Sequence, residues 1–341
     1  MRLSRRGFIA AGLTAATGIA LGSYGVYRMG QNIDPLEHPK MSKVFLFETS
    51  DRKKAIKQIF SEIHSSKFSN AKIALKANYN SADTFPASTH IDSLRTIIET
   101  LKEVNLSDIV LAERSGMGNT RKVLEDSDVF NLADELGFQI RILDEEPASS
   151  WVEIPSEGLH WLRGFKIAKV FTDSDIVIQT CCLKTHRFGG YFTMSLKNSV
   201  GLIAKKDPSG FYDYMAELHS SPYQRLMIAE INRFYKTDLI IMDAIEGFVN
   251  GGPDRGQLIK SNLIIASDDR IAIDAVGIAL LRLYGSTPEV MKGHIFNLEQ
   301  ISRAVQLGVG VKSASDIKLI PLDDKTLRIS DKIENILQTQ G

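Results

Sequence analysis

Short apolar runs alternate with amphipathic stretches through the first half of the chain, and this alternation constrains the fold more than any other feature. Residues 44–47, 71–76, 109–112 and 140–143 read as strands. Between them, residues 51–64 carry Ala55, Ile56, Ile59, Phe60 and Ile63 at helical spacing. Residues 92–104 do the same with Leu94, Ile97, Ile98 and Leu101, and residues 120–136 read as a helix stopped by Gly137. Strands separated by helix-length segments pair in parallel, because the helix carries the chain back across a face of the sheet. The expected fold class is therefore α/β, with mostly parallel sheet flanked by helices and built from repeated βαβ units.

The second half continues less regularly. Residues 165–170, 176–180, 239–242, 263–266 and 317–320 read as strands. Residues 221–235 and 298–307 read as helices, and residues 270–284 as a helix apolar nearly all round, hence buried. Ser267 and Asp268 stand where its N-cap belongs. Asp274 inside it is anomalous and needs a partner, which Lys184 or Lys197 would supply. Residues 44–325 are expected to form the α/β domain, with room for two lobes, and residues 326–341 a C-terminal tail helix.

In parallel sheets ligands gather at the carboxyl ends of strands. Lys76, Asn78, Glu113 and Lys184 all lie just past an expected strand end. The richest segment is KTHRFGGYFTMSLKNSVG, residues 184–201, where Lys184, His186, Lys197 and Asn198 follow a buried strand. Amines, an imidazole and an amide are costly to bury together and suit an anionic ligand, with His186 as proton carrier. Asp243 and Glu246 are read as one turn apart after a strand, leading into a Gly-rich loop over residues 247–256. There they would act as acid and base or hold a hard cation of unknown identity. The expected catalytic set is His186, Lys197 and Asp243. Lys76, Asn78, Lys184, Asn198, Glu246 and Asp274 are the expected ligand-binding set.

Composition excludes some classes. The 341 residues carry 41 basic and 41 acidic side chains, so no bulk charge favours nucleic acid. The only two cysteines, Cys181 and Cys182, are adjacent, and neighbouring thiols are expected to stay free. They cannot ligate an iron–sulfur cluster, so none is expected within this chain, and the cofactor is left unknown.

At the N-terminus, Ser4-Arg5-Arg6-Gly7-Phe8-Ile9 matches a twin-arginine export pattern. An uncharged run from Gly7 to Tyr27 follows, roughly 20 residues and long enough to span a bilayer. Residues 1–28 are thus expected to be a signal or anchor, and residues 29–43, with Pro35 and Pro39, a linker. The expected partner is the twin-arginine export machinery. The expected location is the periplasm or the outer face of the cytoplasmic membrane.

Together these segments resemble the domain-of-unknown-function 362 family. The resemblance runs from about Lys72 to Ile320 and rests on motifs in order. These are Lys76-Ala77-Asn78, Thr89, Lys184-Thr185-His186, Thr193 with Leu196-Lys197-Asn198-Ser199-Val200-Gly201, and Asp243-Ala244-Ile245-Glu246-Gly247. Gly252-Pro253, Gly256, Ser267-Asp268 and Ile273-Asp274-Ala275-Val276 complete the set. Many members are exported, and some carry a ferredoxin-like cluster segment that this chain lacks. The family often has proline where Ala77 and Cys181 stand here. The spacing of His186 and Lys197 is also similar to that of the nickel-pincer lactate racemase family, which acts on small hydroxy acids.

Three readings stand side by side. One is an exported enzyme acting on a small anionic molecule, with or without a metal. A second is a non-catalytic cofactor-binding or assembly partner of an exported redox protein. The third is a membrane-tethered scaffold.

Overall fold

A computed structural model describes residues 34–63, 68, 70–103 and 108–341. The expected leader, the expected linker before residue 34 and the expected helix ends at residues 64 and 104 lie outside the described residues. Among the described residues no helix is long and apolar enough to cross a membrane.

Among the described residues the strands are β1 (Ser42–Glu48), β2 (Ile73–Lys76), β3 (Ile109–Glu113), β4 (Gln139–Ile142), β5 (Trp151–Ile154), β6 (Phe165–Ala168), β7 (Ile176–His186), β8 (Tyr191–Phe192), β9 (Leu239–Gly251), β10 (Gly256–Ser267) and β11 (Ile317–Pro321). The main sheet runs β11-β1-β10-β9-β7-β2-β3-β4, with β8 appended to β7. Pairing is parallel from β9 through β7, β2 and β3 to β4, and antiparallel where β10 joins β9 and β1. The sheet is thus mixed but mostly parallel, and helices cover it. Strands β5 and β6 form a separate antiparallel ribbon.

Alternate side chains of each strand enter different layers, which is why these runs fold as strands. Ile73, Leu75, Ile109, Leu111, Ile176 and Ile178 pack with helices Arg52–Glu62 and Ile91–Glu103 on one face. Ala74, Ala112 and Val177 point the other way, against the ribbon and helix Gln224–Ile231. Further along the sheet, Val44, Met242 and Ile265 meet the buried helix Arg270–Tyr284 and helix Asp324–Gln340.

Several expectations are corrected. Strand β9 does not stop at Met242 before a loop. It runs to Gly251 and turns straight into β10, a long hairpin. A register shift against β7 between Cys182 and Leu183 absorbs the polar Asp243–Glu246 segment. Gly247 follows the shift because a Cβ there would lie 2.7 Å from the Leu183 carbonyl oxygen. Strand β7 likewise continues past Thr180, so Lys184, Thr185 and His186 belong to the strand itself. The helix expected over residues 120–136 is two, Thr120–Asp126 and Val129–Leu136, broken at Asp128 with φ 61°. The N-cap of helix Arg270–Tyr284 is Asp269, whose Oδ1 accepts from Ile271 N at 2.8 Å and Ala272 N at 2.9 Å.

Candidate functional site

Parallel β2, β3 and β7 end on one edge of the sheet, and their last residues form the floor of a cavity of about 850 Å³. Lys76 and Asn78 come from the end of β2, Glu113 and Arg114 from β3, Lys184 and His186 from β7. Lys197 and Asn198 come from the short helix Ser195–Asn198, which folds back over β7. Six of the nine residues singled out in the sequence therefore meet here: Lys76, Asn78, Lys184, His186, Lys197 and Asn198.

A polar network fixes the floor. Lys76 Nζ donates to the Ala77 carbonyl at 2.6 Å, to Asn198 Oδ1 at 3.3 Å and to Glu113 Oε1 in a buried ion pair. Glu113 also accepts from Arg114 N at 2.9 Å and Tyr79 N at 3.3 Å. Lys184 Nζ donates to Asn78 Oδ1 at 2.7 Å and the Ala87 carbonyl at 2.5 Å. Asn78 N in turn donates to Thr89 Oγ1 at 2.8 Å. Arg114 donates to the carbonyls of Ile203, at 3.0 Å, and Val200. Burial pushes the Lys76 and Lys184 ammonium groups down from their ordinary value, pushes Arg114 down to about 10 and pushes Glu113 up.

Two groups lack such partners. His186 Nδ1 is buried with no hydrogen bond. Burial first, and then Lys197 and Lys184, hold that imidazole neutral far below its usual range. Lys197 opens on the cavity, and its ammonium has no hydrogen bond or carboxylate partner among the described residues. Burial, then the charges of Lys184 and Arg114, push it down to about 7. Gly190 lies between the two, since a Cβ there would stand 3.0 Å from both His186 Nδ1 and Lys197 Cε.

The helix that carries Lys197 is held from below. Asp274 Oδ1 accepts from Ser195 N at 2.8 Å and its Oδ2 from Leu196 N at 3.0 Å. Asn232 donates to the Leu196 carbonyl at 3.0 Å, and Ser195 Oγ donates to Gln179 Oε1 at 3.0 Å. The partner expected for Asp274, a lysine of the site, is thus replaced by backbone N–H groups, and Asp274 does not line the cavity. Its role is positioning. Burial raises its carboxyl from 3.8 to about 7 despite those donors.

A carboxyl protonated more readily in the folded state contributes stability below pH 3.8 that is lost as pH rises through about 7. Asp274→Asn should therefore flatten the decline in urea midpoint across pH 4–7. Asp274→Ala leaves two buried donors unpaired and should cost about 2–4 kcal/mol in urea unfolding. Gly201→Ala tests the floor. Its Cβ would stand 2.5 Å from Lys76 Cε and 2.9 Å from Nζ. Displacing that ammonium should cost about 1–3 kcal/mol in the same measurement.

Asp243 and Glu246 do not join the cavity. Asp243 Oδ2 accepts from Arg52 Nε at 2.7 Å and Ser93 Oγ at 2.8 Å, under the helices of the opposite layer. Glu246 pairs across the hairpin with Lys260 at 3.2 Å. The turn that would have joined the two carboxylates is extended strand, and each has its own cation. Among the described residues no cluster of three or more His, Cys, Asp or Glu side chains is placed to hold a metal ion. Cys181 and Cys182 are buried free thiols, and burial pushes Cys182 up to about 12.

The sequence did not single out Arg114, His219, Phe188 or Met215, which also line the cavity, nor Glu113 as a site residue. Glu113 and Arg114 had a signal, the same strand-end position as Lys76. His219 and Met215 had none, because helix Tyr214–Ser220 reaches the site through tertiary packing alone.

No curated protein matches the chain. Among solved structures, the lactate racemase apoprotein from Thermoanaerobacterium thermosaccharolyticum is similar at 11% identity and a TM-score of 0.36, over 60% of this chain and 50% of that one. The chain thus spans about half the length of that protein. The model of the family described as Domain of unknown function (DUF362) matches residues 73–279, a span that holds every residue of the cavity floor. With more than half of its length matched, the chain belongs to the DUF362 family.

Proposed function

We propose that the chain binds a small anionic molecule, a carboxylate or phosphate, at the carboxyl ends of β2, β3 and β7. The observation that carries this is the charge of the cavity. Lys76, Lys184, Lys197 and Arg114 line it against a single carboxylate, Glu113, which is already committed to Lys76. An anion would supply the missing counter-charge to Lys197 and an acceptor for its N–H groups.

The residues then divide by task. Lys184 and Arg114, fixed by their hydrogen bonds, supply a preorganised positive field. Lys197 gains and loses a proton near neutrality, which suits proton transfer to or from the bound molecule. His186, held neutral, offers Nδ1 as hydrogen-bond acceptor or donor without adding charge. The cavity wall adds apolar surface from Met117, Phe188 and Met215, which fits a ligand with a carbon skeleton behind its anionic group. In the same proposal the N-terminal leader takes the folded chain out of the cytoplasm, so the ligand is met outside the inner membrane.

Titration of phosphate and of two- to four-carbon carboxylic acids, followed by thermal shift, tests the reading. Saturable stabilisation is expected, at about 2.7 kcal/mol when the ligand stands at a hundred times its Kd. Lys184→Met should weaken it at least tenfold. No stabilisation by any probe, or full affinity in Lys184→Met, would overturn the proposal.

A further inference from the structure

The three lysines of the cavity are not equivalent. Lys76 and Lys184 each spend their N–H groups on two or more fixed acceptors, which hold them in place. Lys197 makes no hydrogen bond and meets no carboxylate among the described residues, although it points into the cavity. The charged and titratable groups around it are Lys184, Arg114, His186 and His219. None of them stabilises a positive charge on Nζ. A lysine kept among cations beside an anion-binding cavity can act as a nucleophile once it has given up its proton.

We propose that Lys197 is a carbonyl-reactive amine, which condenses through Nζ with the carbonyl of an anionic oxo compound, a 2-oxo acid being the simplest of the class. This deepens the anion-binding reading and rests on it. Lys184 and Arg114 hold the carboxylate and so place the neighbouring carbonyl over Lys197. The ammonium first gives one proton to bulk solvent, since His186 is held neutral beside it. The amine lone pair then forms the C–N bond, and the carbonyl π pair moves to oxygen. A proton passes from nitrogen to that oxygen, giving a carbinolamine. The proton released at the start returns to the hydroxyl, which leaves as water as the C=N bond forms, so the product is a protonated imine. No oxidant or reductant is needed. Burial and the neighbouring cations, which push Lys197 down to about 7, support the geometry by making the amine available at neutral pH.

The test is reductive trapping of the full chain. Pyruvate and 2-oxoglutarate serve as probes, with sodium cyanoborohydride, followed by intact-mass and peptide mapping. One reduced adduct per chain is expected, on Lys197, forming at least about tenfold faster at pH 7 than on exposed lysines, whose amines are almost wholly protonated. Lys197→Arg keeps the charge and removes the nucleophile, and should abolish the adduct. The matching 2-hydroxy acids are titrated in parallel, because they carry the carboxylate without the carbonyl. Binding of the hydroxy acids with no adduct on Lys197 overturns this inference and leaves anion binding standing. Neither binding nor adduct overturns both. Adducts spread over surface lysines, at equal rates in Lys197→Arg, also overturn it.

Discussion

Lys197→Met should stabilise the fold at pH 7 and at the same time remove anion binding. The lysine brings a charge into a pocket where Lys184 and Arg114 oppose it and no carboxylate compensates it. Methionine has similar length and no charge to desolvate. The gain should be about 1–2 kcal/mol, toward the lower end of what removing buried charge yields, because Lys197 keeps part of its surface exposed. The sign follows from linkage. In the folded chain Lys197 loses its proton near 7 rather than at its ordinary 10.5. Its contribution to stability is present above pH 10.5 and lost as pH falls through about 7. Urea midpoints should therefore rise between pH 7 and 10, and Lys197→Met should remove most of that rise. A variant that is both less stable and still competent to bind would contradict the assignment. Stability given up at a residue kept for binding is common at functional sites.

Glu113→Gln should have the largest destabilising effect. Lys76 and Glu113 keep only 2% and 1% of their side-chain surface, so neither charge is relieved by solvent. Removing the carboxylate charge leaves Lys76 buried beside Arg114 with no counter-charge, at a cost of about 3–5 kcal/mol. Lys76→Met should cost less, because Glu113 can take a proton, as the upward push of burial on its carboxyl already favours. The double variant Lys76→Met/Glu113→Gln should recover most of the loss. Its glutamine oxygen still accepts from Arg114 N and Tyr79 N, and no charge remains buried. Urea unfolding of the four proteins gives the coupling. Single costs that add to within about 0.5 kcal/mol would mean that the two side chains act independently.

The parallel half of the fold was legible in the sequence because its strands are buried on both faces and its helices on one. Ile73, Leu75, Ile109 and Leu111 carry that pattern without interruption. The strand-end rule then brought Lys76, Lys184 and His186 together although more than a hundred residues separate Lys76 from Lys184. The β9–β10 hairpin was not legible. Its apolar alternation is broken by Asp243 and Glu246, and the partners that make those acids tolerable, Arg52 and Lys260, are set by tertiary packing and register. Asp274 was visible as an acid in an apolar helix, but spacing cannot tell a lysine partner from two backbone N–H groups. His219 and Met215 went unmarked for the same reason, since their neighbours in the chain say nothing of the wall they complete.

Calorimetric titration of the full chain with phosphate at pH 8, in two buffers of different ionisation enthalpy, tests the central claim most directly. If the cavity takes an anion against Lys197, binding restores the proton that burial and neighbouring cations remove. Uptake approaching one proton per bound anion is then expected, and it should vanish in Lys197→Met. An anion that binds with the same enthalpy in both buffers, or with unchanged affinity in Lys197→Met, would show that its site lies elsewhere.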